Sequence, residues 1–453
     1  MPPPPFLARW LERSGLGRAE ARAWALYDWA NSAFMTTVIT AVFPIYYLRL
    51  ASALGSDAAQ ANFSLATTAA LIASALMAPV LGAVADFRAC KKLLLLLSAT
   101  LGALATGALF FAYPGDWLFA LICFALGNVG AAASVAFYDA LLPHVAAPGE
   151  MDRLSSAGYA LGYLGGGLCL ALNLAWIRFP GSFGLPSGEG LSEAQATLPA
   201  RLAFLSVALW WLGFSVPLWL RVPEPPRYLE SDEVPTASVL RVSFQRLGET
   251  LRDLRRYRQA FLMMVAFLIY NDGVATVIRM AALYAAAKHL PDGVVIATIL
   301  AVQFVGIPCA FAYGALAERF GAKRLIALSL VVYVAISALA FYMTSSVHFV
   351  VLGVLVGLVQ GGTQALSRSL FASMIPPHKS GEFFAFYGIS EKFAGILGPP
   401  LYGAVILWTG SAQHAILSVI PFFVVGGILL LRVDVEAWRA AMREIEQGVR
   451  VSE

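Results

Sequence analysis

Charged side chains are scarce in this sequence. Asp, Glu, Lys and Arg make up 13% of its 453 residues, where soluble domains carry about a quarter. With 59% hydrophobic residues and a mean hydropathy of +0.73, that shortage excludes a soluble multi-domain enzyme. Neither sign dominates: the formal charge is +4 and the basic residues are dispersed, so nucleic-acid binding has no support. Cysteine is nearly absent. Cys90, Cys123, Cys169 and Cys309 stand far apart, which points to no disulfide framework and no metal site. Serine-elbow, Walker and zinc-ligand spacings are missing too, so neither an enzyme nor an ATP-driven pump is indicated and no cofactor is expected. The Pro2–Pro5 run and the arginines after it do not read as a cleavable leader, and the first apolar run is too long for one.

What is present is apolar sequence in twelve runs, from Trp24–Leu48 to Ala412–Leu431. A run of about 20 residues crosses a bilayer core of ~30 Å as a helix. The expected fold class is therefore an all-α integral membrane protein with twelve transmembrane helices. Alternate connections, taken with both termini, hold 24 of the 31 Lys and Arg residues; the other connections hold four. The positive-inside rule places both termini in the cytoplasm, in a cell membrane (the inner membrane of a bacterium). The long connection 221–259 divides the runs six and six, giving bundles at 1–220 and 260–453. Within it, Leu240, Phe244, Leu247, Leu251 and Leu254 recur at helical spacing among arginines from Ser238 to Arg258, the pattern of a helix lying on an anionic leaflet.

The two halves repeat. Gly82-Ala-Val-Ala-Asp86 answers Gly314-Ala-Leu-Ala-Glu318, Pro143 answers Pro376, and Gly162 and Gly165 answer Gly395 and Gly398, at offsets of 232 or 233 residues. Two pseudo-symmetric six-helix bundles with a site between them are the plan of major facilitator transporters. Gly82–Lys92 (GAVADFRACKK) and Gly314–Arg324 (GALAERFGAKR) resemble the acidic–basic loop motif of that superfamily. Gly82, Asp86, Arg88, Gly314, Glu318, Arg319, Lys323 and Arg324 are read as a gate, making contacts that exist in one orientation of the halves. The pattern departs from the motif at three places: Arg88 is one residue late, Ala89 stands in place of Gly, and Glu318 in place of Asp.

Polar residues inside the runs mark the candidate site, because an intramembrane acid is costly and by default functional. Asp28, Ser32 and Met35 share one helical face with Asn31 beside them; Asp272, Thr276 and Arg279 do likewise in the seventh run. Two acids at related places in the halves would bracket a central wet cavity. Each either carries a proton or holds the amine of a zwitterion whose carboxylate meets Arg279 or Lys392; a plain ion pair near the helix end is the alternative for Asp28. Gln360, Thr363, Gln364 and Ser367 form a stripe in the tenth run, with Arg368 one turn beyond Gln364. Of the adjacent Glu391 and Lys392 only one faces a cavity, since neighbours point ~100° apart, and Lys392 is the choice. The glycines from Gly158 to Gly166 read as close helix packing.

Four stretches make the resemblance narrower: Trp24–Phe34 (WALYDWANSAF), Gly158–Gly166 (GYALGYLGG), Tyr270–Gly273 (YNDG) and Leu358–Arg368 (LVQGGTQALSR). They resemble the hallmark stretches of one major facilitator branch, the unknown-major-facilitator or autophagy-related vacuolar effluxer-like family, from Trp24 to about Pro400. Fungal members are associated with efflux of amino acids from the vacuole. The resemblance implies transport of a small polar solute, and gives Tyr27, Asp28, Asn31, Asn271, Asp272, Gln360, Gln364, Arg368 and Lys392 candidate status. A proton-coupled transporter working as a monomer is the expectation. A sugar–cation symporter, and a transporter-like receptor that binds without translocating, remain as alternatives.

Overall fold

The computed structural model describes residues 4–229, 257–394, 397–435 and 450–451. The arginine-rich stretch from Ser238 lies outside the described residues as far as 256, as do Gly395 and the side chain of Lys392.

Apolar runs become helices because a bilayer offers backbone groups no partner but one another. The first half holds spans at Ala19–Leu50, Ser56–Arg88, Lys91–Phe111, Trp117–Val145, Met151–Arg178 and Glu193–Arg221. The second holds Arg258–Ala287, Asp292–Phe320, Ala322–Phe341 and Ser346–Ala372, then a broken eleventh span and a twelfth at Gln413–Leu431. They are numbered first to twelfth below. Among the described residues, eleven helices are long and apolar enough to cross a membrane.

The eleventh run, Phe383–Trp408, is two helices, Ser380–Phe393 and Gly398–Thr409. Pro399 and Pro400 cause the break. Proline donates no backbone hydrogen and disfavours helix in the residue before it, yet fits the first turn of a new helix. The first span changes its winding as well. It is α-helical over Ala19–Ala33, π-helical over Phe34–Val42 and α-helical again over Phe43–Leu50. π segments gather at functional sites, and this one supplies Met35, Thr36 and Thr40 to the central cavity.

A short helix unforeseen in the sequence, Pro5–Arg13, precedes the first span. Trp10 packs edge-on to Phe311 of the eighth span, ring centroids 5.3 Å apart, and Arg153 donates to the carbonyls of Glu12 and Arg13. The halves meet mainly where the second and fourth spans pack on the eleventh and the fifth on the eighth and tenth. These contacts lie towards the face that carries the Lys- and Arg-rich connections, called the basic face below.

Candidate functional site

Between the halves lies a cavity of about 320 Å³. Its wall on the first span is Asp28, Asn31, Ser32, Met35, Thr36 and Thr40. The fourth span contributes Val135, Tyr138 and Asp139, and the fifth Tyr159, Gly162 and Tyr163. Across the divide stand Gln303, Gln360, Gln364, Arg368 and Glu391.

Arg368 closes the cavity towards the basic face. Its Nη1 donates to Asp139 Oδ1 at 3.0 Å and to Asp28 Oδ2 at 3.3 Å, Nε to Ser155 Oγ at 2.9 Å, and Nη2 to the Ser155 carbonyl at 2.8 Å. Every one of these partners belongs to the opposite half. The side chains of Arg368 and Asp139 are 3% and 6% exposed and that of Asp28 17%, so the cluster is nearly dry on one flank and open to the cavity on the other. Buried charges persist only when paired and hydrogen-bonded, and this arginine has four such bonds. The glycine-rich turn of the fifth span makes room for it: a Cβ on Gly158 would come within 2.9 Å of Asp28 Oδ2 and 3.1 Å of Arg368 Nη2. Polar capacity is left over in the wall. Asn31 Oδ1 and Gln303 Oε1 are buried without a protein hydrogen-bond partner.

Of the residues singled out in the sequence, Asp28, Asn31, Gln360, Gln364 and Arg368 line the cavity. Tyr27 does not: it is buried inside the first half, its hydroxyl accepting from Trp211 Nε1 at 3.4 Å. Asn271 is buried away from the cavity and Arg279 is exposed on the seventh span. Asp272 departs furthest from expectation. Instead of lining a chamber shared with Asp28, it accepts from the backbone N–H of Leu397 (3.0 Å) and Gly398 (2.8 Å) and from Thr276 Oγ1 (3.4 Å). Its carboxylate caps the helix that restarts after the break in the eleventh span, satisfying donors that a helix start leaves free. Glu391 lines the cavity, while the side chain of its neighbour Lys392 lies outside the described residues. Asp139, Tyr138 and Tyr159 escaped the sequence reading. Asp139 stands at the end of the apolar run Trp117–Ala140, where no polar stripe at helical spacing points to it.

The two loop motifs both bridge the halves, differently. Asp86 is buried; it accepts from the backbone N–H of Gly381 (3.0 Å) and Glu382 (2.9 Å) and pairs with Lys91 at 2.6 Å. Gly82 allows this approach, since a Cβ there would strike the Gly381 carbonyl. In the second motif Glu318 pairs with Arg153 of the fifth span at 2.6 Å, and a Cβ on Gly314 would meet Ser156. Lys323 donates to the carbonyls of Leu431 and Val433, within its own half. Arg88, Arg319 and Arg324 are exposed. Both acids bridge the two halves at the basic face.

Comparison with known proteins agrees with this fold. The family model described as "Vacuole effluxer Atg22 like" matches residues 57–443. The chain is 34% identical over 419 residues to the uncharacterized MFS-type transporter YxiO of Bacillus subtilis (strain 168), covering 92% of this chain and 95% of that protein. It is 26% identical over 303 residues to autophagy-related protein 22-1 of Aspergillus niger, covering 63% of this chain and about half (47%) of that longer relative. Among solved structures it is similar in fold to the proton:xylose symporter XylE, with a TM-score of 0.66 at 13% identity over 91% of this chain and 95% of the other. This multi-pass membrane protein belongs to the Atg22-like vacuole effluxer family of major facilitator transporters.

Proposed function

We propose that the protein moves a small polar solute, with amino acids the favoured class, across a cell membrane by proton-coupled alternating access, with both termini in the cytoplasm. One observation carries this reading. Arg368 of the second half is held by Asp28 and Asp139 of the first, at the closed end of a polar cavity. Separating the halves at the basic face withdraws the arginine the pair is bonded to, so the acids must regain balance from protons or from a charged solute. Protonation state and orientation are thereby linked. The lysine and arginine bias of the basic face supports its assignment to the cytoplasm.

The solute class follows from the lining. Acids (Asp28, Asp139, Glu391), one arginine and the amides of Asn31, Gln303, Gln360 and Gln364 suit a molecule carrying both charges and several hydrogen-bonding groups. The volume is at the small end of ligand cavities, roughly 300–1,000 Å³. The family's description as an effluxer makes export the direction to test first.

Counterflow of labelled amino acids in reconstituted vesicles tests the reading. The expected result is accumulation driven by a pH gradient and abolished in Asp139→Asn. Sodium-driven sugar uptake, or binding without accumulation, would replace it with one of the alternatives.

A further inference from the structure

The guanidinium of Arg368 sits in a box built wholly by the other half. Its carbon lies 5.0 Å from the ring centroid of Trp24, 5.4 Å from Tyr138 and 4.4 Å from Tyr159, within the range where ring faces attract cations. Asp28 and Asp139 add their carboxylates at 3.3 and 3.0 Å. Bonds within the first half tie the walls of the box to one another. Trp24 Nε1 donates to the Tyr138 carbonyl at 2.9 Å, the two rings stack 4.2 Å apart, and the Tyr138 hydroxyl donates to Asp28 Oδ2 at 3.1 Å.

We propose that this box is a cation-binding site of the first half, which Arg368 fills as a tethered ligand in this conformation and the alkylammonium or guanidinium group of a solute fills when the halves part at the basic face. Arg368 rides on the tenth span, while Trp24, Asp28, Tyr138, Asp139 and Tyr159 ride on the first, fourth and fifth. Parting the halves removes the arginine and leaves two nearly buried carboxylates without a counter-charge, a state that low-dielectric surroundings penalise heavily. Protons alone would repair the charge, but a proton has no use for three aromatic faces. An organic cation does, because ring quadrupoles and carboxylates together replace the water it sheds. The vacated site opens towards the basic face, so the exchange of arginine for solute is sided. That exchange rests on the transport reading above; the existence of the site does not.

Purified full-length Arg368→Ala, titrated with methylguanidinium chloride against sodium chloride at equal ionic strength, tests the site. At about a hundred times the dissociation constant, the apparent Tm of the variant should rise by about 3 °C and that of the wild type, whose box is filled, by less than ~1 °C. Adding Asp139→Asn should remove the rise. No rise in Arg368→Ala, or a rise that survives Asp139→Asn, overturns the proposal. Should Arg368→Ala not fold, Asp86→Asn with Glu318→Gln keeps the box intact and loosens only the closed face. Calorimetric affinity for methylguanidinium should then be at least about tenfold above wild type, and equal affinities overturn the proposal. Cation binding without any transport would sink the transporter reading and leave this site standing.

Discussion

Two aspartates open the two halves, each just after a tyrosine or an asparagine in a mainly apolar helix, yet they do different work. Asp28 borders the cavity and bonds to an arginine of the opposite half. Asp272 is buried inside its own half and bonds to the backbone of a broken helix. The first joins the two halves to each other; the second holds one half together. An acid in a membrane helix is therefore a sign of an unusual partner before it is a sign of proton traffic. The partner tells the two cases apart: a side-chain cation across the divide can leave, whereas a helix start 125 residues along the same half stays with its cap.

The largest expected effect breaks this comparison outright. Asp28→Asn should lower gradient-driven transport at least ~100-fold, the equivalent of about 2.7 kcal/mol, because the neutral amide no longer ties charge to the separation of the halves. Its effect on thermal stability should be small by comparison, since Asp139 still holds Arg368 at 3.0 Å. Normal gradient dependence in this variant would remove Asp28 from the mechanism.

Asp272→Asn should show the reverse. The amide keeps one acceptor oxygen but loses the charge-assisted pair of bonds to Leu397 and Gly398. A loss of about 1–3 kcal/mol is expected, read as a lower midpoint of thermal unfolding in detergent. The folded fraction should still couple solute to the pH gradient. If coupling vanishes while stability holds, Asp272 is a proton carrier and the contrast between the two acids fails.

This contrast marks how far the sequence could be read. The runs, their basic bias and the 232-residue repeat are written in composition and spacing, so the membrane plan was legible, but not the helix Pro5–Arg13 or the break in the eleventh span. The stripe Gln360, Gln364, Arg368 was legible because it recurs once per turn. The role of Asp272 was not, since its partners are backbone N–H groups and no side-chain pattern announces them. Asp139 was hidden by position: an acid at the end of an apolar run looks the same whether it faces a loop or a cavity.

A second pair sharpens the same lesson at the basic face. Asp86 and Glu318 occupy equivalent motif positions, but Asp86 is buried with Lys91 against a helix start, whereas the Glu318 and Arg153 side chains are 41% and 22% exposed. Solvent screens the exposed pair to below ~1 kcal/mol. Asp86→Asn should therefore raise the population open at the basic face about tenfold, or ~1.4 kcal/mol, and Glu318→Gln should change it by less than ~3-fold. The readout is the labelling rate of a cysteine placed at Val135, on the cavity wall, by an impermeant maleimide in a background without the four native cysteines. Equal effects from the two substitutions would mean that burial does not set the strength of these gates.

The smallest effect lies three residues beyond Asp86. Ala89 closes the second span in the left-handed region, φ 49° and ψ 57°, where a Cβ crowds the backbone. The equivalent place in the second motif is Gly321, at φ 83°. The departure from the superfamily's glycine thus leaves a strained residue in one copy and not in the other. Ala89→Gly relieves the steric cost of about 1 kcal/mol but frees the unfolded chain, which returns part of the gain. A net stabilisation of about 0.5 kcal/mol is expected, while Gly321→Ala should destabilise by ~1 kcal/mol or more. Both are read from unfolding midpoints under one set of conditions. A drop in midpoint for Ala89→Gly would mean that the alanine methyl gains more from packing at the gate than its backbone loses to strain.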